Sequence, residues 1–413
     1  MNYSGARDTE QGQSLISTKD ALPVELIHQI IGDLAQADDN APEILGPCAL
    51  VCRSWTAICR AHIFRTIAIS YHGFTPRLSF LYFTAPHLSK HIVEIVIRGE
   101  SSRRSSYTFP DWTAYCFDLL KNLRSLRFHH VTGGWSQMPT PLVQGITTLL
   151  RAPRLRKLHI SGWVFGEDTR TLPYLLSLCS GTLQDLVLQN VHMSQPGIEI
   201  DGLSAINMGA LSSLRLECVS HPGLTETLIK CPKLESVIVQ TNDMGERYPL
   251  WISSGVKELK LIVFPWSGIP KFGNATRISV LTIDMATPTI LSKFQGWLEA
   301  CVSHLPHPNL LAELTIRLEY DPWRSKYPEL AEYAALSSHL ARLRDRMPLE
   351  RISATIQMVV HGGMEEDTDQ VRETAKLRDG FAPILRLGVD IRLIVQHEGA
   401  PPTGDKVLMD CRV

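Results

Sequence analysis

A six-residue pattern recurs along most of this chain, and a recurrence of that kind decides the fold before any single residue does. The unit is an apolar residue, two variable ones, an apolar, one variable and a final apolar. It reads Ile92-Val93-Glu94-Ile95-Val96-Ile97, then Leu123-Arg124-Ser125-Leu126-Arg127-Phe128. Further copies begin at Leu155, Leu183, Leu211, Leu234, Val256, Ile278, Leu311 and Leu349, and successive starts lie 31, 32, 28, 28, 23, 22, 22, 33 and 38 residues apart. The alternation that ends each unit makes a short strand with one face buried. No unit can bury its own apolar side, so neighbours must stack to supply the missing partner. In the longer gaps the stretches Pro141–Leu150, Leu291–Leu305 and Leu330–Leu343 carry apolar residues at helical spacing. Where the gap is 22 or 23 residues, the return reads as a turn or a few extended residues. The expected architecture over residues 92–395 is an irregular α/β solenoid with a curved parallel sheet on its inner face.

The N-terminal part follows a different rule. Residues 1–20 are polar and aperiodic and read as a disordered lead-in. From residue 21 to 67 the chain is dense in apolar residues at helical spacing. Pro23 suits a first helical position and Glu25 the first turn, where the helix dipole favours an acid. Leu26, Ile27, Ile30, Ile31 and Leu34 then recur in steps of three and four. Asp38 to Pro42 ends that helix, and Gly46-Pro47 is expected to divide the next apolar group into two short helices, making three in all. Residues 68–91 read as a linker or entry to the first repeat, and 396–413 as a C-terminal tail.

Charge and cysteine content narrow the classes that remain. The chain has 41 Lys+Arg against 42 Asp+Glu, so it lacks the basic excess of a dedicated nucleic-acid binder. No run of 18 apolar residues is present, and the start has no apolar signal-peptide core, so neither a membrane partner nor secretion is expected. Nine cysteines, an odd number spread through the chain, fit reduced thiols. These readings together place the protein inside the cell, in the cytoplasm, the nucleus or both. Cys48, Cys52 and Cys59 lack a Cys-x-x-Cys pair and read as core residues on one helix face, not as a metal site. No phosphate-binding loop, nucleophile elbow or His-Glu-x-x-His motif occurs, so no catalytic residue, cofactor or metal is assigned.

Two resemblances now follow from named residues. Leu22-Pro23-Val24-Glu25-Leu26-Ile27, with Leu50-Val51-Cys52-Arg53-Ser54-Trp55 downstream, resembles an F-box. Residues 92–395 resemble a leucine-rich-repeat array, although the asparagine usual eight residues after the first leucine is mostly replaced, for instance by Val131, Trp163, Val191 and Val219. The pairing is similar to the large F-box families of mushroom-forming fungi. The resemblance implies a non-enzymatic, substrate-recognition subunit of an SCF-type (cullin–RING) ubiquitin ligase. Its F-box would dock to the Skp-type adaptor, and through it to cullin, by Leu22, Pro23, Leu26, Ile30, Leu34, Leu50, Val51 and Trp55. A unit this small also has more large apolar side chains than it can bury, which independently marks a partner site.

On the repeats, residues between the buried positions face the concave surface. Arg127, His129, Lys157, His159, Asp185, Arg215, Glu217 and Lys260 are therefore expected to meet a protein target, with an acidic segment preferred near the early strands. The alternative is a plain interaction scaffold of the same fold, not coupled to ubiquitination.

Overall fold

The computed structural model describes residues 22–37, 41–70, 76–99, 110–130, 138–165, 171–192, 208–219, 231–240, 252–263, 276–286, 291–320, 330–347, 351–360, 390–397 and 406–411, with a few single residues between. The expected lead-in at 1–20 lies outside them. Contacts divide the chain into two units, Met1–Thr66 and Ile67–Val413.

The first unit holds three helices: α1 (Val24–Ala37), α2 (Ala41–Cys48) and α3 (Arg53–Ile63). Ile27, Ile31, Leu45, Ile58 and Cys59 form its buried core, with Leu34, Ala35, Cys48, Ala49, Trp55 and Ile63 packed around them. The break between the second and third helices differs from the sequence expectation. Pro47 sits inside the last turn of α2, and the chain leaves helical conformation only at Ala49–Cys52. A proline there forfeits one hydrogen bond of an eight-residue helix without forcing its end.

The second unit is built on a 13-stranded sheet whose spatial order is its sequence order. The strands are β1 (Thr66–Ser70), β2 (Glu94–Arg98), β3 (Ser125–His129), β4 (Lys157–Ser161), β5 (Asp185–Val191), β6 (Ser213–Val219), β7 (Ser236–Gln240), β8 (Glu258–Val263), β9 (Val280–Ala286), β10 (Glu313–Tyr320), β11 (Arg351–Val360), β12 (Asp390–His397) and β13 (Lys406–Cys411). From β2 to β12 every pairing is parallel. Each of the ten repeat copies became one strand, β2 to β11, and each strand begins two residues after its copy does. The fold is the expected α/β solenoid.

Three strands were not anticipated. Thr66–Ser70 belongs to a copy of the unit that the sequence reading does not count, Phe64-Arg65-Thr66-Ile67-Ala68-Ile69, and begins two residues after its start like the others. Asp390–His397 and Lys406–Cys411 lack the six-residue unit, and β13 runs antiparallel to β12. The segment read as a tail therefore contributes to the sheet.

Between strands, helices Thr140–Leu150, Leu291–Ser303 and Leu330–Arg346 fall where helical spacing placed them. Helices Trp112–Asp118 and Thr171–Cys179 add to that layer. The shorter returns lie largely outside the described residues, although Leu228 in one of them is helical.

Register explains the core. Paired across the sheet, the second strand position is Ile95, Leu126, Leu158, Leu186, Leu214, Val237, Leu259, Leu281 and Leu314, and the fourth is Ile97, Phe128, Ile160, Leu188, Leu216, Val239, Leu261, Ile283 and Ile316. All are buried. In the usual repeat, an asparagine ladder ties the turns that follow the strands. Here Trp163 occupies that place, buried, stacked on Phe165 at 4.8 Å and packed against Phe128 at 4.9 Å. Left-handed backbone recurs just before that place, at the eighth residue of successive copies: His130, Gly162, Asn190 and Cys218 have φ of 50°, 65°, 50° and 50°.

Candidate functional site

Two surfaces hold the residues that sequence reasoning singled out. The first is the outer face of the three-helix unit. The broad stripe of α1 divides: Ile27 and Ile31 turn inward, while Leu22, Leu26 and Ile30, four residues apart, are exposed. Pro23 is exposed beside them. Between α2 and α3, Leu50 is 87% exposed and Val51 65%. Large aliphatic side chains so open to water lose the free energy of burial unless a partner covers them.

The turn that presents Leu50 and Val51 is built from backbone bonds, Leu50 N–H to Pro47 O at 3.0 Å and Val51 N–H to Cys48 O at 3.2 Å. The Thr56 hydroxyl braces it from the first turn of α3, lying 2.5 Å from Ala49 O and 3.0 Å from Cys52 O. Leu34 and Trp55 are placed differently from the other six candidates. Both are half-buried and pack on the core of the unit. Val24, exposed on α1, was not singled out. Nor was Thr56, because its bracing role depends on a turn whose path the sequence does not print.

The cysteines are not on one helix face. Cys59 is buried, Cys48 closes α2 and is half-buried, and Cys52 is exposed at the N-cap of α3 with its Sγ 3.0 Å from Ser54 Oγ. That hydrogen bond holds the Cys52 thiol below its ordinary pKa, whereas burial raises that of Cys59. Among the described residues no three His, Cys, Asp or Glu side chains are grouped to hold a metal ion. Burial pushes the thiols of Cys116 and Cys179 up to about 12 and that of Cys231 to about 11. Thiols so hard to ionise are poor nucleophiles.

The second surface is the open face of the sheet, formed by the first, third and fifth strand positions. All eight target candidates lie on it, and register fixes their neighbours. Arg127 and His159 are paired in one row; Lys157 and Asp185 in another. The cations are largely spoken for. Arg127 Nε lies 2.5 Å from Glu94, Lys157 Nζ 3.5 Å from Asp185 and Arg215 Nε 2.6 Å from Glu217, while Lys260 and Arg317 share Asp284. These pairs are part-exposed and add little stability. Their effect is to neutralise the side chains that the sequence offers as positive contacts.

His129 and His159 meet edge to face with centroids 5.0 Å apart. His159 Nε2 lies 2.8 Å from Gln189 Oε1, and Gln189 Nε2 lies 2.6 Å from Glu217 Oε2. The carboxylate of Glu217 only accepts, so the Gln189 amide nitrogen must face it and the amide oxygen must face His159. His159 therefore donates from Nε2. Burial lowers the pKa of both histidines first of all. Arg127 lowers it further for each, with His159 and Arg98 also acting on His129 and Arg215 on His159.

Over residues 19–70 the chain matches the family model described as F-box-like, and the N-terminal unit is an F-box-like domain. No curated protein matches the chain. Among the described residues, no helix is long and apolar enough to cross a membrane.

Proposed function

We propose that this protein is a substrate-recognition subunit of an SCF-type ubiquitin ligase. Its F-box-like domain docks to the Skp-type adaptor, and the open face of the repeat sheet binds the protein to be modified. The observation that carries the reading is the uncovered apolar set Leu22, Leu26, Ile30, Leu50 and Val51 on a domain matched as F-box-like. In this role the chain is not an enzyme. It holds a target near the transferring subunits, so its contribution to rate is proximity.

The six exposed candidates would make the adaptor contact directly. Leu34 and Trp55 would act by shaping the surface from beneath. The experiment is capture of the full chain on purified Skp-type adaptor, with Leu26→Asp and Leu50→Asp as surface variants and circular dichroism to check their fold. Retention of wild type and loss of both folded variants is expected; failure of wild type to bind the adaptor would refute the reading. Adding cullin separates the ligase subunit from a scaffold that pairs with the adaptor alone.

A further inference from the structure

The cations that first suggest an acid-binding surface, Arg127, Lys157 and Arg215, each already face a carboxylate. What remains over β2–β5 is different in kind. Arg98 is exposed, pairs in register with His129, and has no acidic partner among the described residues. Beside it stand the two histidines in ring contact, on adjacent strands of the same face. One permanent charge is thus free, and two more are available only by taking up protons.

We propose that this part of the open face is a proton-coupled site for an acidic peptide segment, in which Arg98 receives one carboxylate and His129 and His159 become charged as the segment binds. The inference rests on the reading of the open face as the target surface and specifies the chemistry of what it takes.

The charged groups around the pair among the described residues all enter the balance. Arg98 and Glu94 lie on β2, Arg127 and His130 on the β3 repeat, Lys157 on β4, Asp185 on β5, and Arg215 and Glu217 on β6. Glu94 is held by Arg127 and by the Ser125 hydroxyl at 3.0 Å, and Glu217 by Arg215 and Gln189. Asp185 favours a charged His159, but it faces Lys157. In the free protein, burial and the neighbouring guanidinium groups therefore disfavour protonation of the imidazoles. An arriving carboxylate offsets that repulsion. The Nε2–H of His159 is already committed to Gln189, so its new proton goes to Nδ1, where it can be donated to the ligand. By linkage, a ligand that favours the protonated pair must bind more tightly when protons are abundant.

The test uses the full chain and fluorescein-labelled peptides of about ten residues, one rich in glutamate and one with glutamine at the same places, an extended length of roughly 33 Å at ~3.3 Å per residue. Anisotropy at about pH 7.5 and about pH 6 reads affinity, and glutamate itself stays ionised across that range because its ordinary pKa is about 4.3. The acidic peptide is expected to bind at least about fivefold more tightly at the lower pH, with net proton uptake seen by calorimetry in two buffers of different ionisation enthalpy. Arg98→Ala should weaken binding at both pH values. His129→Gln/His159→Gln, which replaces each ring with a neutral polar group, should abolish the pH dependence and proton uptake while weak binding persists.

Equal binding of the glutamine peptide, pH dependence that survives in the double variant, or no binding of the acidic peptide at either pH overturns the proposal. Adaptor capture measured on the same preparation reads the ligase role separately. A chain that binds adaptor but not acidic peptide loses only this inference; one that binds peptide but not adaptor retains the site and loses the role.

Discussion

Gly162 shows how tightly a single position can be held. Its φ of 65° lies in left-handed space, and a Cβ there would come 2.6 Å from His130 Nδ1. Backbone strain and steric overlap act in the same direction, so Gly162→Ala should cost on the order of 1–3 kcal/mol in urea unfolding. The histidines make a second prediction, about pH. His62, His129, His159 and His339 all have their pKa depressed from the ordinary 6.5, with burial the first cause in each. The unfolded chain then binds more protons than the folded one below that value. Their contribution to stability is full above pH 6.5 and is lost as pH falls through the depressed native values. Unfolding midpoints compared at about pH 7.5 and about pH 5 should therefore fall in acid, and His159→Gln should make the fall smaller.

At the scale of elements, two contacts lend themselves to direct tests. Helices Trp112–Asp118 and Thr140–Leu150 approach so closely that a Cβ on Gly145 would lie 1.9 Å from a ring carbon of buried Phe117. Gly145→Ala must displace that ring, with an expected loss of about 1–3 kcal/mol in thermal or urea unfolding. The Thr56 brace on the α2–α3 turn gives a functional counterpart. Thr56→Val keeps the shape and removes the hydroxyl, so about 1 kcal/mol of local order is lost. Adaptor capture should weaken while circular dichroism stays unchanged; undiminished capture would show that the turn holds Leu50 and Val51 without it.

The strands were legible from sequence because their alternation coincides with a repeated frame. Once that frame is aligned, Glu94 falls on the strand beside Arg127 and two register positions away, which brings a diagonal ion pair within reach. Read one residue at a time, Arg127 is simply a free cation. Trp163 was illegible for another reason: the frame says only that asparagine is missing, and the aromatic contacts that replace it come from Phe128 on the neighbouring strand β3 and from Phe165 two residues on. In the first unit, helical spacing revealed the stripe of α1 but not its division into inward Ile27 and outward Leu26, which depends on how three helices meet.

For the whole molecule, the sheet order makes stability local. Each strand is bonded only to its neighbours in sequence, so damage at one place need not reach the far end at once. Leu259, buried on β8, is a suitable probe, since truncation to alanine costs about 2–5 kcal/mol at such sites. Hydrogen exchange of Leu259→Ala should show amides of β7, β8 and β9 losing protection first, with β2–β5 still protected. Uniform loss across all strands would instead identify one cooperative block.

The constant two-residue offset between repeat start and strand start, kept while the starts range from 22 to 38 residues apart, separates two kinds of sequence change. Insertions and deletions are absorbed where the chain crosses back, and they leave the grid of outward positions unmoved. Substitutions on the grid alter what is displayed without altering where it is displayed. A lineage carrying this architecture can therefore rewrite the open face one square at a time, and a protein engineer can transplant a short block of squares from one array to another with no adjustment of loop length.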